Sequence, residues 1–155
     1  MKKIAVWLVL AVLALSLTAC TANPKTAAST KDMPLKELVN KHVAAAGSMV
    51  SLPRTDLEDV IGIDPADFKE AVYLQDEGMG GNEALVLRAQ DEKAAERIVS
   101  MLEGYLEQRR KETRNYVPEA YQLLEKAKVE RKNLTVALIS GEKAAEESAA
   151  LLAGE

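Results

Sequence analysis

The chain contains a single cysteine, Cys20, and this residue offers the most distinctive chemistry in the sequence. A thiol can act as a nucleophile, pack as a small apolar side chain or serve as a point of covalent attachment. Cys20 lies between an apolar run and the polar stretch "TANPKTAAST", a position that favours attachment. A lone cysteine also excludes internal disulfides, thioredoxin-type pairs and cysteine-rich zinc sites.

The segment before Cys20 has the layout of an export signal. Two lysines form a basic start, residues 4–17 carry no charge, and small residues follow. The uncharged run, residues 4–19, has 16 residues, whereas a membrane-spanning helix needs roughly 20, which leaves a transmembrane anchor as the alternative. The residues "LTAC" that end at Cys20 resemble the lipobox of bacterial lipoproteins. This resemblance implies cleavage between Ala19 and Cys20, a diacylglyceryl group on the Cys20 sulfur and a location on the extracytoplasmic face of the bacterial cell membrane.

The charge balance argues against two classes of partner. The 155 residues carry 20 basic and 24 acidic side chains, and without residues 1–19 the formal balance becomes -6. An acidic chain argues against nucleic-acid binding and against electrostatic binding to anionic lipid headgroups. Membrane attachment therefore depends on acyl chains at Cys20, where two or more chains hold stably and one only marginally.

Composition divides the chain into three parts. Residues 1–19 are the predicted signal peptide, residues 20–33 the lipidated cysteine and a flexible tether rich in Ala, Thr, Ser and Lys, and residues 34–155 a single folded domain. About 13 tether residues span on the order of 20 Å. The 48% share of hydrophobic residues is sufficient for a core in the third part.

Neither His42 nor the glycine-rich segment predicts a catalytic site. His42 is the only histidine, and its place on the apolar side of a predicted helix favours a partly buried, hydrogen-bonded imidazole. The segment "DEGMGGN" suggests a phosphate-binding loop, but such a loop needs a helix N-terminus after the glycines, and here a predicted strand follows. The sequence predicts a flexible strand connection at Gly78, Gly80 and Gly81.

Clusters of charge provide two further candidates. A calcium site could use the acidic residues Asp56, Glu58, Asp59, Asp64 and Asp67. Their spacing does not match a calcium-binding loop, and helix capping explains them, so no metal site and no cofactor are predicted. A phosphate or headgroup site could use the basic residues Arg109, Arg110, Lys111 and Arg114. The favoured interpretation is a solvated helix end that offsets the macrodipole, with an ion pair between Glu107 and Lys111.

Carboxylates and tyrosines are the remaining candidates for a functional site. Glu83 with Asp76 or Glu77 could serve an envelope hydrolase, which is the least favoured hypothesis. Recognition of a partner could use the tyrosines Tyr105, Tyr116 and Tyr121, although their spacing favours core and helix-stapling roles. We therefore predict no catalytic residues and expect that the protein is not an enzyme.

Apolar spacing and capping residues predict an α+β domain. In chain order the predicted elements are a helix to about residue 46, short helices at 55–62 and 64–68, strands at 71–74 and 84–89, helices at about 92–113 and from 118, strands at 127–130 and 134–139, and a helix at about 142–152. Strands joined by short turns imply a small, mainly antiparallel sheet of about four strands in two hairpin-like pairs, covered by helices on one face.

The predicted helix ends depend on particular residues. Asp91 and Asp64 are expected N-caps, and Gly62 a left-handed C-cap. Thr55 is expected to form a capping box with Glu58. Pro118 is expected to begin a helix, and Tyr116 is expected to form a hydrophobic staple with Tyr121 in its first turn. The turn of the last strand pair is expected at "RKN".

Several segments between Asp56 and Ile139 resemble a family of uncharacterised bacterial lipoproteins, a domain of unknown function. The matching segments are "IGIDPADFKEAVYL", "NEALVLRAQDEKAAE", the long charged helix, "NYVPEAYQLLEKA" and "NLTVALIS". These are packing, capping and turn motifs. The resemblance implies a fold and a location, and it brings no catalytic residues to transfer.

The favoured function is that of a lipid-anchored extracytoplasmic protein that presents its domain to an unknown protein of the cell envelope. Confinement to one membrane raises the effective concentration of such a partner without new contacts. The alternative is a small-ligand-binding or sensing module at the membrane surface, which requires a pocket between helices and sheet.

Overall fold

The computed structural model describes residues 33–78 and 80–155, and this part of the chain forms a five-stranded antiparallel sheet. In chain order its strands are β1 (Val50–Ser51), β2 (Phe68–Gln75), β3 (Glu83–Ala89), β4 (Lys128–Lys132) and β5 (Thr135–Ser140). Their order in the sheet is β1-β2-β3-β5-β4. The predicted α+β class and antiparallel pairing are confirmed. The fifth strand is β1, an edge strand of two residues that is too short to show an alternating pattern.

Helices cover both faces of the sheet, which corrects the expectation of one covered face. One face carries α1 (Leu35–His42) and α5 (Ala144–Ala153), and the other carries α2 (Thr55–Asp59), α3 (Glu92–Thr113) and α4 (Pro118–Lys126). Leu85 and Leu87 of β3 pack in the core beneath α3, and Ala84 and Val86 pack in the core beneath α1. A strand buried on both faces is apolar at successive positions, which explains the sequence "ALVLRA".

Several predicted helix ends are confirmed. Asp91 Oδ1 accepts a hydrogen bond of 2.8 Å from the Ala94 N–H and begins α3. Pro118 is the first residue of α4. Gly62 has φ +83 after α2, a conformation that favours glycine. The structure therefore places the long helix α3 as the sequence predicts.

Other predicted ends differ from the structure. α1 ends at His42, and a separate 3₁₀ turn follows at Ala44–Gly47. Thr55 is the first residue of α2 and not its N-cap, so the predicted capping box does not form. Tyr116 is 82% exposed and does not staple onto α4. Each of these predictions assumed an interaction between residues close in sequence, and the backbone conformation does not bring those residues together.

The last hairpin also turns later than predicted. β4 extends through Lys132, which pairs with Thr135 of β5. The turn consists of Asn133 and Leu134, and Asn133 has φ +53, which asparagine tolerates better than most residues. Charged residues of the "RKN" segment thus belong to an edge strand, where charge opposes pairing with other chains.

Arg88, near the end of β3, joins the start and end of the described domain to the sheet. Its Nη1 donates to the Met33 carbonyl at 2.8 Å and to Glu70 Oε1 at 3.1 Å. Its Nη2 donates to Glu155 Oε1 at 2.6 Å. Glu70 Oε2 accepts from the Leu35 N–H at 2.8 Å. These four residues and Arg88 form what we call the Arg88 cluster, which fixes where the chain enters the domain.

The predicted features of the N-terminal region lie outside the described residues. These are the signal peptide, Cys20, the cleavage point after Ala19 and the tether to residue 32. Among the helices of residues 33–78 and 80–155, none is both long and apolar enough to cross a membrane.

Gly81→Ala is expected to destabilise the protein, because the connection between β2 and β3 contacts α4 closely. Gly81 has φ +90, and a Cβ there would lie 2.7 Å from Ala120 Cα. We expect the free energy of unfolding to fall by about 2–4 kcal/mol in urea denaturation. The control Gly104→Ala, where a Cβ meets nothing within 4 Å, is expected to raise it by about 0.5–1 kcal/mol. Equal stability of Gly81→Ala and the parent would contradict this contact.

Candidate functional site

The carboxyl group of Glu83, at the start of β3, is buried, with only 1% of the residue exposed. The Tyr105 hydroxyl donates to Glu83 Oε1 at 2.5 Å. The hydroxyl oxygens of Tyr73 and Tyr105 lie 2.9 Å apart. Arg109 Nε lies 3.8 Å from Glu83 Oε2. These four residues, which we call the Glu83 cluster, form the most deeply buried group of ionisable side chains in the described part of the chain.

The proton order within the cluster follows from the number of donors. A tyrosine has one hydroxyl hydrogen, and Tyr105 uses its hydrogen for Glu83. Tyr73 must then donate to the Tyr105 oxygen, although the distance alone permits either direction. The chain of donors runs from Tyr73 through Tyr105 to Glu83, and the Tyr73 oxygen remains free to accept.

The alternation of the sheet and the pitch of α3 bring the cluster together. Glu83 and Leu85 point to the same face of β3, and Tyr73 is the partner of Leu85 in β2. Tyr105 and Arg109 are four residues apart, so they lie on one side of α3. The helix that covers this face therefore places a phenol and a guanidinium over the carboxyl group.

Several buried polar atoms at this place have no hydrogen-bond partner within the described residues. They are Glu83 Oε2, Arg109 Nε, Arg109 Nη2 and Ser140 Oγ. Ser140 is the partner of Glu83 in β5, so its side chain flanks Glu83 on the same face. Buried polar groups without partners are costly and uncommon, and here they are concentrated in adjoining residues. Such a concentration marks a place where water or a ligand completes the hydrogen bonding.

Burial determines how the cluster titrates. Desolvation raises the pKa of Glu83 and outweighs the Tyr105 hydrogen bond and the Arg109 charge, both of which lower it. Burial, with the charge of Glu83, raises the pKa of Tyr73 to about 12. The same causes raise the pKa of Tyr105. Both phenols therefore stay protonated at neutral pH and serve as hydrogen-bond donors.

A surface pocket of about 230 Å³ opens beside the cluster. Its lining consists of Val60, Tyr73, Gln75, Tyr105, Gln108, Arg109 and Glu112. Tyr73, Tyr105 and Arg109 thus connect the buried carboxyl group to a space that a small molecule can enter. Buried groups with perturbed pKa values beside a pocket are a recognised mark of functional sites.

The structure separates the carboxylates that the sequence offered as a hydrolase pair. Glu83 contacts Tyr105 and Arg109, whereas Asp76 Oδ2 accepts from the Asn82 side chain at 2.7 Å. Glu77 is exposed. Glu83 is thus the only one of the three in the Glu83 cluster.

The basic residues at the end of α3 do not form one solvated group, contrary to the favoured interpretation. The Arg109 side chain is 12% exposed and faces Glu83. Arg110 donates to the carbonyls of Leu124, Glu125 and Ala127 at 2.9–3.2 Å and satisfies the end of α4. The predicted ion pair between Glu107 and Lys111 is present at 4.0 Å, and Arg114 lies over the Tyr121 ring.

The acidic residues before β2 have structural partners. Asp64 Oδ1 accepts from the Ala66 N–H at 2.8 Å, as predicted for a cap. Arg97 binds both carboxylate oxygens of Asp67 and holds the pKa of Asp67 below its usual value. Within residues 33–78 and 80–155, no three acidic, histidine or cysteine side chains are placed to hold a metal ion.

His42 and the glycines lie away from the Glu83 cluster. His42 is half-buried at the end of α1. Gly78, Gly80 and Gly81 connect β2 to β3, and Gly78 and Gly81 have positive φ. The connection leads into a strand, as the sequence predicts.

Sequence reasoning missed Arg109 as a member of the site, although two signals pointed to it. Glu83 is the one acidic residue in an apolar strand, and a buried carboxyl group needs a partner. Tyr105 and Arg109 share a helix face that also carries Ile98 and Leu102 into the core. The sequence does not show which strand lies beneath this face.

One protein-family model matches residues 42–141, and its description is a domain of unknown function, DUF4358. The matched region begins at the last residue of α1 and ends after β5, so it includes all five strands and the whole Glu83 cluster. No curated protein and no solved structure matches the chain.

Tyr105→Phe is expected to destabilise the protein more than Tyr73→Phe. The first change removes the donor to Glu83 and the acceptor for Tyr73, whereas the second removes one hydrogen bond between neutral groups. We expect losses of about 2–4 kcal/mol and about 1 kcal/mol in the free energy of unfolding, measured by urea denaturation. A Tyr73→Phe loss equal to that of Tyr105→Phe would contradict the donor order from Tyr73 to Glu83.

Proposed function

From the premise that the chain belongs to the DUF4358 family, a domain of unknown function, we propose that it is a lipid-anchored accessory protein of the bacterial cell envelope. In this proposal Cys20 carries the lipid, and the domain faces an envelope protein on the extracytoplasmic side of the membrane. The observation that carries the proposal is the sequence before Cys20, a basic start and an uncharged run that ends in "LTAC".

The position of the Arg88 cluster supports an anchored orientation. Arg88 and Glu70 hold the chain at Met33 and Leu35, directly after the proposed tether. Glu83 lies at the opposite end of β3, about 17 Å away for five steps along a strand. An anchor that enters beside Arg88 would therefore leave the pocket at the end of the strand away from the point of entry, where it stays accessible.

The chemistry of the pocket favours binding over catalysis. Tyr73, with a pKa of about 12, and Tyr105, with a raised pKa, do not supply a general base at neutral pH. The guanidinium of Arg109 donates hydrogen bonds and accepts none, and Glu83 is screened from the pocket by the residues that line it. These groups can orient and hold a bound group by hydrogen bonds.

Cys20→Ser is expected to prevent lipid attachment and to separate the protein from its partner. We expect in-cell cross-linking followed by mass spectrometry to identify one envelope protein with the parent and not with Cys20→Ser. The physical reason is that two molecules confined to one membrane meet at a raised effective concentration. Ala22→Ser, a change of similar size in the tether, is the matched control and should retain the cross-link. A Cys20→Ser chain that is processed and held in the membrane like the parent would contradict the proposal.

A second candidate function, a small-ligand-binding module, is favoured by the Glu83 cluster. Its specific support is Arg109, which lines the pocket and has two nitrogens without partners beside the unpartnered Oε2 of Glu83. A ligand that hydrogen-bonds to these unpartnered groups gains affinity, because the groups are already desolvated in the free protein.

A thermal-shift screen tests this second candidate. The full chain carrying Cys20→Ser, held in detergent, is expected to unfold at a higher temperature with at least one class of small polar compound, because a ligand that binds the folded state stabilises it. At a concentration of 100 times Kd the stabilisation is about 2.7 kcal/mol. A screen of anionic, cationic and neutral compounds at millimolar concentration with no shift would contradict ligand binding.

A further inference from the structure

The guanidinium of Arg109 has an edge without hydrogen-bond partners. Its Nε and Nη2 atoms are both buried, and neither finds an acceptor within the described residues. The N–H groups of these two nitrogens lie on one edge of the planar group, and this edge matches the two oxygens of a carboxylate. The side chain is 12% exposed and lines the pocket described above.

Glu83 is an incomplete partner for this edge. Its Oε2 lies 3.8 Å from Arg109 Nε, which exceeds hydrogen-bond distance, and Oε2 also lacks a partner. The charged and titratable groups that act on Glu83 are Tyr73 from β2 and Tyr105 and Arg109 from α3. Desolvation prevails over them and raises the pKa of Glu83, which favours its neutral form. The guanidinium of Arg109 is a buried charged group and needs a complete counter-ion.

The pocket is the right size for a small organic acid. Its volume of about 230 Å³ lies below the roughly 300–1,000 Å³ of typical ligand pockets, which suits a ligand of few atoms. Gln75 and Gln108 add amide groups to the lining, and Gln108 donates to Glu112 at 2.9 Å. The Tyr73 oxygen is free to accept a hydrogen bond from a ligand, as derived above.

We infer that the pocket beside the Glu83 cluster binds a small carboxylate-bearing molecule whose carboxylate pairs with the guanidinium of Arg109. A carboxylate with one negative charge suits this place better than a phosphate dianion, because the acidic residue Glu112 also lines the pocket. The ligand carboxylate approaches Arg109 from the pocket and completes the counter-ion that Glu83 provides only in part. This inference deepens the second candidate function and rests on it.

Isothermal titration with acetate and succinate tests the inference, with acetamide and inorganic phosphate as controls. The full chain carrying Cys20→Ser, in detergent, is expected to bind acetate or succinate saturably with Kd on the order of 1 mM, as suits a ligand of few atoms. Acetamide is expected not to bind, since it has no charge, and phosphate to bind at least about tenfold more weakly than the better carboxylate.

Two variants separate the ligand site from the stability of the fold. Glu83→Gln keeps Arg109 and removes the carboxyl group that competes with a ligand for it, so carboxylate binding is expected to tighten at least about tenfold. Glu83→Gln with Arg109→Gln leaves no buried charge in the cluster and is expected to abolish binding while the circular dichroism spectrum stays that of the parent. Arg114→Gln, at the same helix end but outside the pocket lining, is the matched control and should bind like the parent.

The outcomes distinguish this inference from the function on which it rests. Absence of carboxylate binding in both the parent and Glu83→Gln, or equal binding in the double variant, would overturn the inference. If the thermal-shift screen then finds a cationic or neutral ligand whose effect requires Arg109, the binding function stands and only the carboxylate is wrong. If no class of compound binds, both fail.

Discussion

Strand β3 is covered by helices on both faces, and this constraint determines where the charged groups of the domain must find partners. Six of its seven residues are buried, and the remaining one, Arg88, is half-buried. Its two charged residues, Glu83 and Arg88, stand near opposite ends. A charge in such a strand cannot remain in water, so each requires partners from neighbouring elements. The Glu83 cluster and the Arg88 cluster are the two results.

The two clusters differ in how completely their hydrogen bonds are made. Arg88 has three acceptors at 2.6–3.1 Å, two of them carboxylates. Burial lowers the pKa of Arg88, but the hydrogen bonds and charges of Glu155 and Glu70 outweigh burial and raise it. Glu83 has one donor at hydrogen-bond distance, and its guanidinium neighbour is too far away to donate. The complete cluster holds Met33 and Glu155 to the sheet. The incomplete cluster adjoins a pocket, and a buried ion pair with poor geometry is weak evidence for a stabilising role.

Sequence patterns predicted those features that depend on a few neighbouring residues. Asp91 and Pro118 begin their helices as predicted because a side-chain cap and a fixed φ act locally. The covering of both faces was not predicted, since it depends on which face of the sheet α1 and α5 pack against. They pack on the face opposite α3. Arg109 and Arg110 are adjacent in sequence, yet one faces Glu83 and the other the end of α4. No local pattern separates those roles, because each is decided by a distant segment that packs against α3.

Burial beneath α3 has a larger effect on the ionisation of Glu83 than the charge of Arg109, and the incomplete pairing of Arg109 depends on this difference. Carbon-13 NMR titration of the side-chain carboxyl carbon of Glu83, in the full chain carrying Cys20→Ser and labelled at glutamate, measures this directly. The Glu83→Gln spectrum assigns the signal. We predict a pKa of Glu83 above the ordinary value of 4.5. A pKa at or below that value would show a complete ion pair between Glu83 and Arg109, and it would contradict the assignment of an incompletely paired guanidinium beside the pocket.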